Sequence, residues 1–485
     1  MTLTQRYSNI KRGLLSLLLL VSPILVAGNP LPDLGDQSGA IISPYEERQL
    51  GEGVMRQARQ NLTFINDPEL LSYLQSLGGR IATRSEGAQE TYQFFLVDDS
   101  AINAFAVPGG FITVHTGLIK MAESEAELAS VLAHEIAHIS QRHIPRIMAA
   151  QQNTGGQTML ALLAAIMLAQ AGEYEAGEAA LALTAASLTQ KSINFTRSHE
   201  EEADRVGTQL LIKSGYSAHA MPQFFKRLMN WGRIYETNLP EFLRTHPLTN
   251  RRITEAEDRA APYPDTPAKP SSDFHHFKAK IRAITEEQPG QAVAVFADNL
   301  KNKRYKIETA ERYGYTLALL RAKRFDAARK QISPLRTRYP ERVQYAVVQA
   351  EIEMAARNYD KALAYYATAL ERHPSHPGLL QSYANALLKT GKPTMAYKIS
   401  KQAIRQQPDN PALYKILATA AGETGKKLEA HQALAEHYYL GGNRQSAIQQ
   451  LEIASRYAGK NDYLQASLSA RIKELQEESK RLQQH

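Results

Sequence analysis

Pro340, Pro374 and Pro408 stand 34 residues apart, and that period constrains the fold more than any other feature of the chain. Ala350, Ala384 and Ala418 repeat at the same interval, as do Ala362, Ala396 and Ala430, with Ala369 and Ala403 as a third class. Arg324-Phe325 and Asn358-Tyr359 mark the turns between them. A unit of this length is a pair of antiparallel helices, with small residues where the two touch and a proline at the exit. One such unit cannot bury its apolar face alone, so the units must stack into an α-solenoid. Ala435, Ala447 and Ala454 restart the phase after Gly425. The pattern predicts tetratricopeptide-type repeats from about 307 to 456. They sit in a domain of 307–485 with a helical lead-in at 274–306 and a charged cap ending near Gln484. Such solenoids bind peptides or partners on a concave face, and this one is expected to fold against whatever precedes it.

The region before the repeats follows different rules. Residues 261–273 form a proline-rich linker, and 44–260 read as an α+β body. Asp67-Pro68 starts a helix through Leu70, Leu71 and Leu74, since proline suits the first helical turn. Thr91 to Val97 and the segments on either side of Pro108-Gly109-Gly110 read as short strands around a tight turn. The fold class is mainly α, with a small β-sheet in the first domain.

Within that body, His134-Glu135-Ile136-Ala137-His138 is H-E-x-x-H. Residues four apart share a helix face, so both imidazoles can hold one metal ion. Glu135 is turned away and is placed to take a proton from water. Ser124 and Glu127 read as a capping box at the start of this helix. A third ligand is required. Gln141 and Ile144 stand where a metzincin needs Gly and His, which excludes that class. The alternative is an acid on a second helix, and His199 to Gly207 supplies it. Glu200 and Asp204 share a face, so one can complete the site while the other holds a ligand's free ring N–H. Glu201 and Glu202 remain open as alternative ligands.

Asn103-Ala104-Phe105-Ala106, Pro108-Gly109-Gly110, the H-E-x-x-H run, Glu200 to Asp204 and Thr245-His246-Pro247 occur in an order that resembles the HtpX/CaaX-prenyl-protease-like family of gluzincin metallopeptidases. The resemblance implies a zinc endopeptidase with one Zn2+ per chain, His134, His138 and Glu200 as ligands, Glu135 as base and Asp204 as the ligands' partner. It implies that Asn103 to Ala106 pair with an extended substrate. It also raises His246 to a site residue, either donating to the oxyanion or occupying zinc as a displaceable switch. Arg252 is a further candidate for an oxyanion or carboxylate contact. His199 departs from the expected residue and is read as a surface position. The resemblance, taken with a leader before and repeats behind, implies stalled or misassembled outer-membrane β-barrel proteins as targets, engaged at the outer-membrane assembly machinery through the repeats. Between the metal helices, Met159 to Ala169 is a run of eleven apolar residues flanked by Gly155-Gly156 and Gly172. That is too short to span a bilayer, and a core helix, a lid or a peripheral membrane contact are its candidate roles.

Arg6, Lys11 and Arg12 precede an apolar run from Leu14 to Ala27, then Gly28 and Asn29-Pro30. This is the order of a secretory signal peptide over 1–28, with an extension at 29–43, and it predicts a periplasmic protein. The chain has no cysteine, which excludes disulfides, thiolate metal sites and lipid attachment at an N-terminal cysteine. Its net charge of +8 is scattered and partly in the leader, and no nucleic-acid motif occurs, so nucleic acid is not an expected partner. A non-proteolytic, chaperone-like adaptor and an uncleaved, membrane-anchored peptidase are the competing readings. The complete set of ligand, base and partner residues argues against the first.

Overall fold

The computed structural model describes residues 42–85, 91–150, 190–234, 240–265 and 270–483. The leader, Met159 to Ala169 and its flanking glycines lie outside the described residues.

Helix α1 (Pro44–Asn61) and helix α2 (Pro68–Ala82) open the first body. Asp67 caps α2 by accepting the Glu69 and Leu70 N–H groups, with Pro68 inside the first turn. Three strands follow: β1 (Gln93–Val97), β2 (Ala104–Val107) and β3 (Phe111–His115). Their order is β1-β3-β2, with β1 parallel and β2 antiparallel to β3. Every residue of β3 is buried, as a central strand covered on both faces requires. Gly109 and Gly110 take φ of +80° and +89°, the left-handed values that the turn between β2 and β3 demands. His115 N–H donates to Asn103 C=O, so alternation turns the backbone groups of Ala104 and Ala106 to the edge of β2 that faces away from β3.

After a short helix α3 (Thr116–Met121) come α4 (Glu125–Ser140) and α5 (His143–Ala150), then α6 (Gln190–Lys213), α7 (Ala220–Ile234), α8 (Glu241–Thr245) and α9 (Asn250–Ala260). Ser124 caps α4 as expected, but the capping box is only half formed. The Glu127 carboxylate takes the Glu123 N–H and the Arg227 guanidinium instead of returning to Ser124. Leu128, Leu132 and Ile136 of α4 are fully buried with Leu70, Leu74 and Leu77 of α2 and Ile112 of β3 in one core. Burial of this kind contributes roughly 1.5–3 kcal/mol per large side chain.

The chain then continues with α10 (Ser272–Ile284) and α11 (Pro289–Lys301), both packed on α12 (Glu308–Arg321), and goes on in helix pairs: α12 with α13 (Phe325–Arg338), and α14 (Val343–Ala355) with α15 (Tyr359–Arg372). α16 (Pro377–Lys389) and α17 (Pro393–Gln406) follow, then α18 (Pro411–Glu423) and α19 (Lys427–Leu440), closed by α20 (Arg444–Tyr457) and α21 (Asp462–Gln483). Ala350, Ala362, Ala384 and Ala396 are fully buried, and Pro340, Pro374 and Pro408 each fall just past a helix C-terminus. The solenoid packs on the first body. Lys280 of α10 reaches Asp67 at 2.8 Å and Glu69 at 2.7 Å, and the Tyr313 hydroxyl donates to Glu69 at 2.8 Å. Further along, Gln93 of β1 donates to Asp409 at 3.2 Å.

Candidate metal centre

Two helices bring the donors together. His134 and His138 lie one turn apart on α4, and their Nε2 atoms are 3.0 Å apart. α6 crosses α4 closely because residue 207 is glycine: a Cβ there would lie 3.1 Å from His134 N and 3.2 Å from the Ala133 carbonyl. That approach sets Glu200 between the imidazoles, its Oε2 and Oε1 each 3.4 Å from a histidine Nε2. Glu201 and Glu202 do not reach this cluster: Glu201 lies beside Arg251 and Glu202 beside Arg146.

His246 ends α8, whose Phe242 N–H donates to Ile102 C=O beside β2. Its Nδ1 lies 3.0 Å from Glu200 Oε1 and 3.3 Å from His134 Nε2. One donor atom each from His134, His138, Glu200 and His246 falls within 4.8 Å of all the others. Three imidazoles and one carboxylate in a nearly closed pocket are the donor set that zinc prefers. Burial drives His138 well below the ordinary imidazole pKa and so keeps it neutral and free to ligate. Burial opposes the charge on Glu200, yet His246, His138 and His134 more than offset it and hold the carboxyl well below its usual range.

Glu135 is fully buried, with Oε1 3.5 Å from His246 Nε2. Burial pushes its pKa up against the pull of His246 and His134, which suits a group that must accept a proton near neutral pH. Asp204 lies 3.0 Å from His134 Nδ1. Arg252 clamps Asp204 and also lies 3.0 Å from Glu200, while its Nη1 donates to Pro247 C=O. All three guanidinium nitrogens are therefore engaged with the protein, two of them on Asp204 and the third on Glu200 and Pro247 C=O.

The strand beside the site is less open than its sequence suggests. Asn103 and Ala104 are fully buried, and Phe105 packs with Val54, Met55 and Val107. Of these four residues only Ala106 is partly exposed, so the edge of β2 is accessible at Ala106 and covered at Ala104. His199 is a correction: it is 2% exposed rather than on the surface. Its ring stacks on that of His143 at 4.3 Å and 7°. His143 was not anticipated. It lies between the two positions tested for a metzincin ligand, and the only available signal was its place five residues after His138.

A buried His-His-Glu cluster with an adjacent glutamate, on crossing helices beside a strand edge, defines a zinc metalloendopeptidase of the gluzincin type. The chain belongs to peptidase family M48, whose model matches residues 68–260, and a tetratricopeptide repeat model matches 353–420. It is 32% identical over 451 residues to the beta-barrel assembly-enhancing protease of Escherichia coli (strain K12), covering 93% of this chain and 92% of that one. A putative beta-barrel assembly-enhancing protease of Vibrio cholerae is 36% identical over 456 residues, with 93% and 94% covered. The mitochondrial metalloendopeptidase OMA1 of Arabidopsis thaliana is 30% identical over 162 residues, covering 33% of this chain and 30% of its own. The enzyme is a zinc endopeptidase, and its repeats are a protein-interaction module.

Proposed function

We propose that this protein is a periplasmic endopeptidase that removes misassembled outer-membrane β-barrel proteins, with the repeats engaging the assembly machinery. Near end-to-end similarity to proteases named for β-barrel assembly, spanning both the peptidase and the repeats, carries this reading. The leader pattern of residues 1–28 supports export.

In this reading His134, His138 and Glu200 hold zinc, which supplies Lewis-acid polarisation of water and of the peptide carbonyl. Glu135 takes the proton from the attacking water and passes it to the leaving amine. Asp204, clamped by Arg252, keeps His134 in the tautomer that leaves Nε2 free. The edge of β2 pairs with the substrate backbone at Ala106, which is recognition by strand addition and suits unfolded β-barrel segments. His246 fills a fourth donor position and restrains the enzyme until it is displaced.

The test is cleavage of an unfolded outer-membrane β-barrel protein by the purified mature chain, with the mature N-terminus read by mass spectrometry from envelope fractions. Zinc-dependent cleavage and an N-terminus near residue 29 are expected. An intact leader at the membrane would favour the anchored peptidase, and zinc binding without cleavage of any unfolded client would favour the adaptor.

A further inference from the structure

Only one nitrogen of His138 faces the donor cluster. The other, Nδ1, lies 2.8 Å from Nδ1 of His143, and His143 Nε2 lies 3.2 Å from Glu202 Oε2. The chemistry of the three groups fixes which way each bond runs. A His138 that offers its Nε2 lone pair carries its proton on Nδ1 and donates it to His143. His143 accepts at Nδ1, so its own proton sits on Nε2 and is donated to Glu202, which can only accept. No link in this chain sets two donors or two acceptors against each other.

The arrangement is built into the fold. His143 is 2% exposed, and its ring is sandwiched against His199. Arg142 takes a φ of +51°, unusual for a residue with a side chain, and so turns the chain back beneath His138. Its guanidinium holds that turn through Glu47 at 3.0 Å and Ile42 C=O at 2.7 Å. Glu202 is fixed in turn by Arg146 at 2.7 Å.

We propose that His143 and Glu202 are positioning residues that orient His138 and fix its tautomer, as Asp204 does for His134. The two ligands are held differently. His134 meets a carboxylate directly, at 3.0 Å. His138 meets one only through a neutral ring, so its orientation is fixed without a second anion touching the ligand set. Excess negative charge there would weaken the pull of zinc on a carbonyl, and the intervening ring limits it.

This inference rests on His138 being a ligand. Its test is zinc affinity by chelator competition for the parent, His143→Phe, His143→Asn and Glu202→Gln proteins, with long-range 15N correlation of the parent's imidazoles. His143→Phe keeps the stack on His199 and removes the acceptor, so affinity should fall about ten- to a hundredfold. His143→Asn restores an oxygen acceptor near the position of Nδ1 and should recover part of that loss. If His143→Phe does not fold, the comparison of His143→Asn with Glu202→Gln decides: both should bind zinc more weakly than the parent. The parent should show His143 protonated on Nε2. Affinities within twofold of the parent in the variants, or a His143 protonated on Nδ1, would overturn the inference. A parent that binds no zinc, or a His138→Phe variant that binds it as tightly as the parent, would instead overturn the ligand reading itself and this inference with it.

Discussion

Nε and Nη2 of Arg252 donate to the two oxygens of Asp204 at 2.7 and 2.8 Å, a bidentate pair in which both residues are almost wholly buried. Burial alone would raise the Asp204 carboxyl, but Arg252 and His134 hold it below its ordinary pKa. Removing the arginine would strand Asp204 and Glu200 together. Arg252→Met should therefore destabilise the metal-free protein by about 3–5 kcal/mol, and Arg252→Lys should rescue it poorly because lysine lacks the fork. Denaturant unfolding checks this, and adding Asp204→Asn to Arg252→Met should return part of the loss.

Purified protein should contain one zinc per chain, removed by chelation and missing from Glu200→Gln. Metal analysis after gel filtration decides it. Stoichiometric zinc in that variant would show that Glu200 is dispensable as a ligand.

Glu135→Gln should retain zinc and its melting temperature while losing proteolysis by several orders of magnitude, because an amide cannot take a proton from water. Activity within tenfold of the parent would sink the assignment of Glu135 as base.

His246→Ala should raise basal cleavage of an unfolded client, since its Nδ1 lies 3.0 Å from Glu200 and His246 shares one donor cluster with His134, His138 and Glu200. A fall in cleavage with zinc retained would assign His246 to the oxyanion instead.

Glu351 lines the groove of the repeats, and burial together with Asp67 and Glu69 raises its pKa to about 7 despite the nearby Lys280. For a carboxyl raised in the folded state, the stabilising effect of its proton is complete below about 4.5 and disappears as pH rises through about 7. Glu351→Gln should consequently be more stable than the parent at pH 8, by about 2 kcal/mol, and match it near pH 5. Thermal melts at both pH values measure the difference.

Much of this architecture is legible in the sequence because it obeys short-range rules. Ala350 and Ala384 recur at a fixed interval because helix pairs can approach only over a small side chain, and both are fully buried. His134 and His138 meet because four residues make one helical turn. What escaped the sequence depends on contacts between distant segments. Lys280 finds Glu69 across 211 residues, and no local pattern announces a lysine that will be buried against acids. His143 was hidden for a subtler reason: its value depends on the left-handed turn at Arg142, a conformation that an arginine does not advertise. His199 looked like a surface residue because histidine beside three glutamates usually is one.

Gly207 never touches a ligand side chain, yet it gauges the distance between the two helices that carry them. A single methyl group there would sit 3.1 Å from His134 N, so the backbone of a ligand would have to give by a few tenths of an ångström. Zinc sites tolerate errors of about 0.2 Å in ligand distance. Fidelity for the metal is thus calibrated by a hydrogen atom seven residues beyond Glu200. A divergent copy of this chain could keep every donor and still lose its zinc through that one position, which makes E-x-x-x-D-x-x-G a sterner criterion than the histidine motif alone.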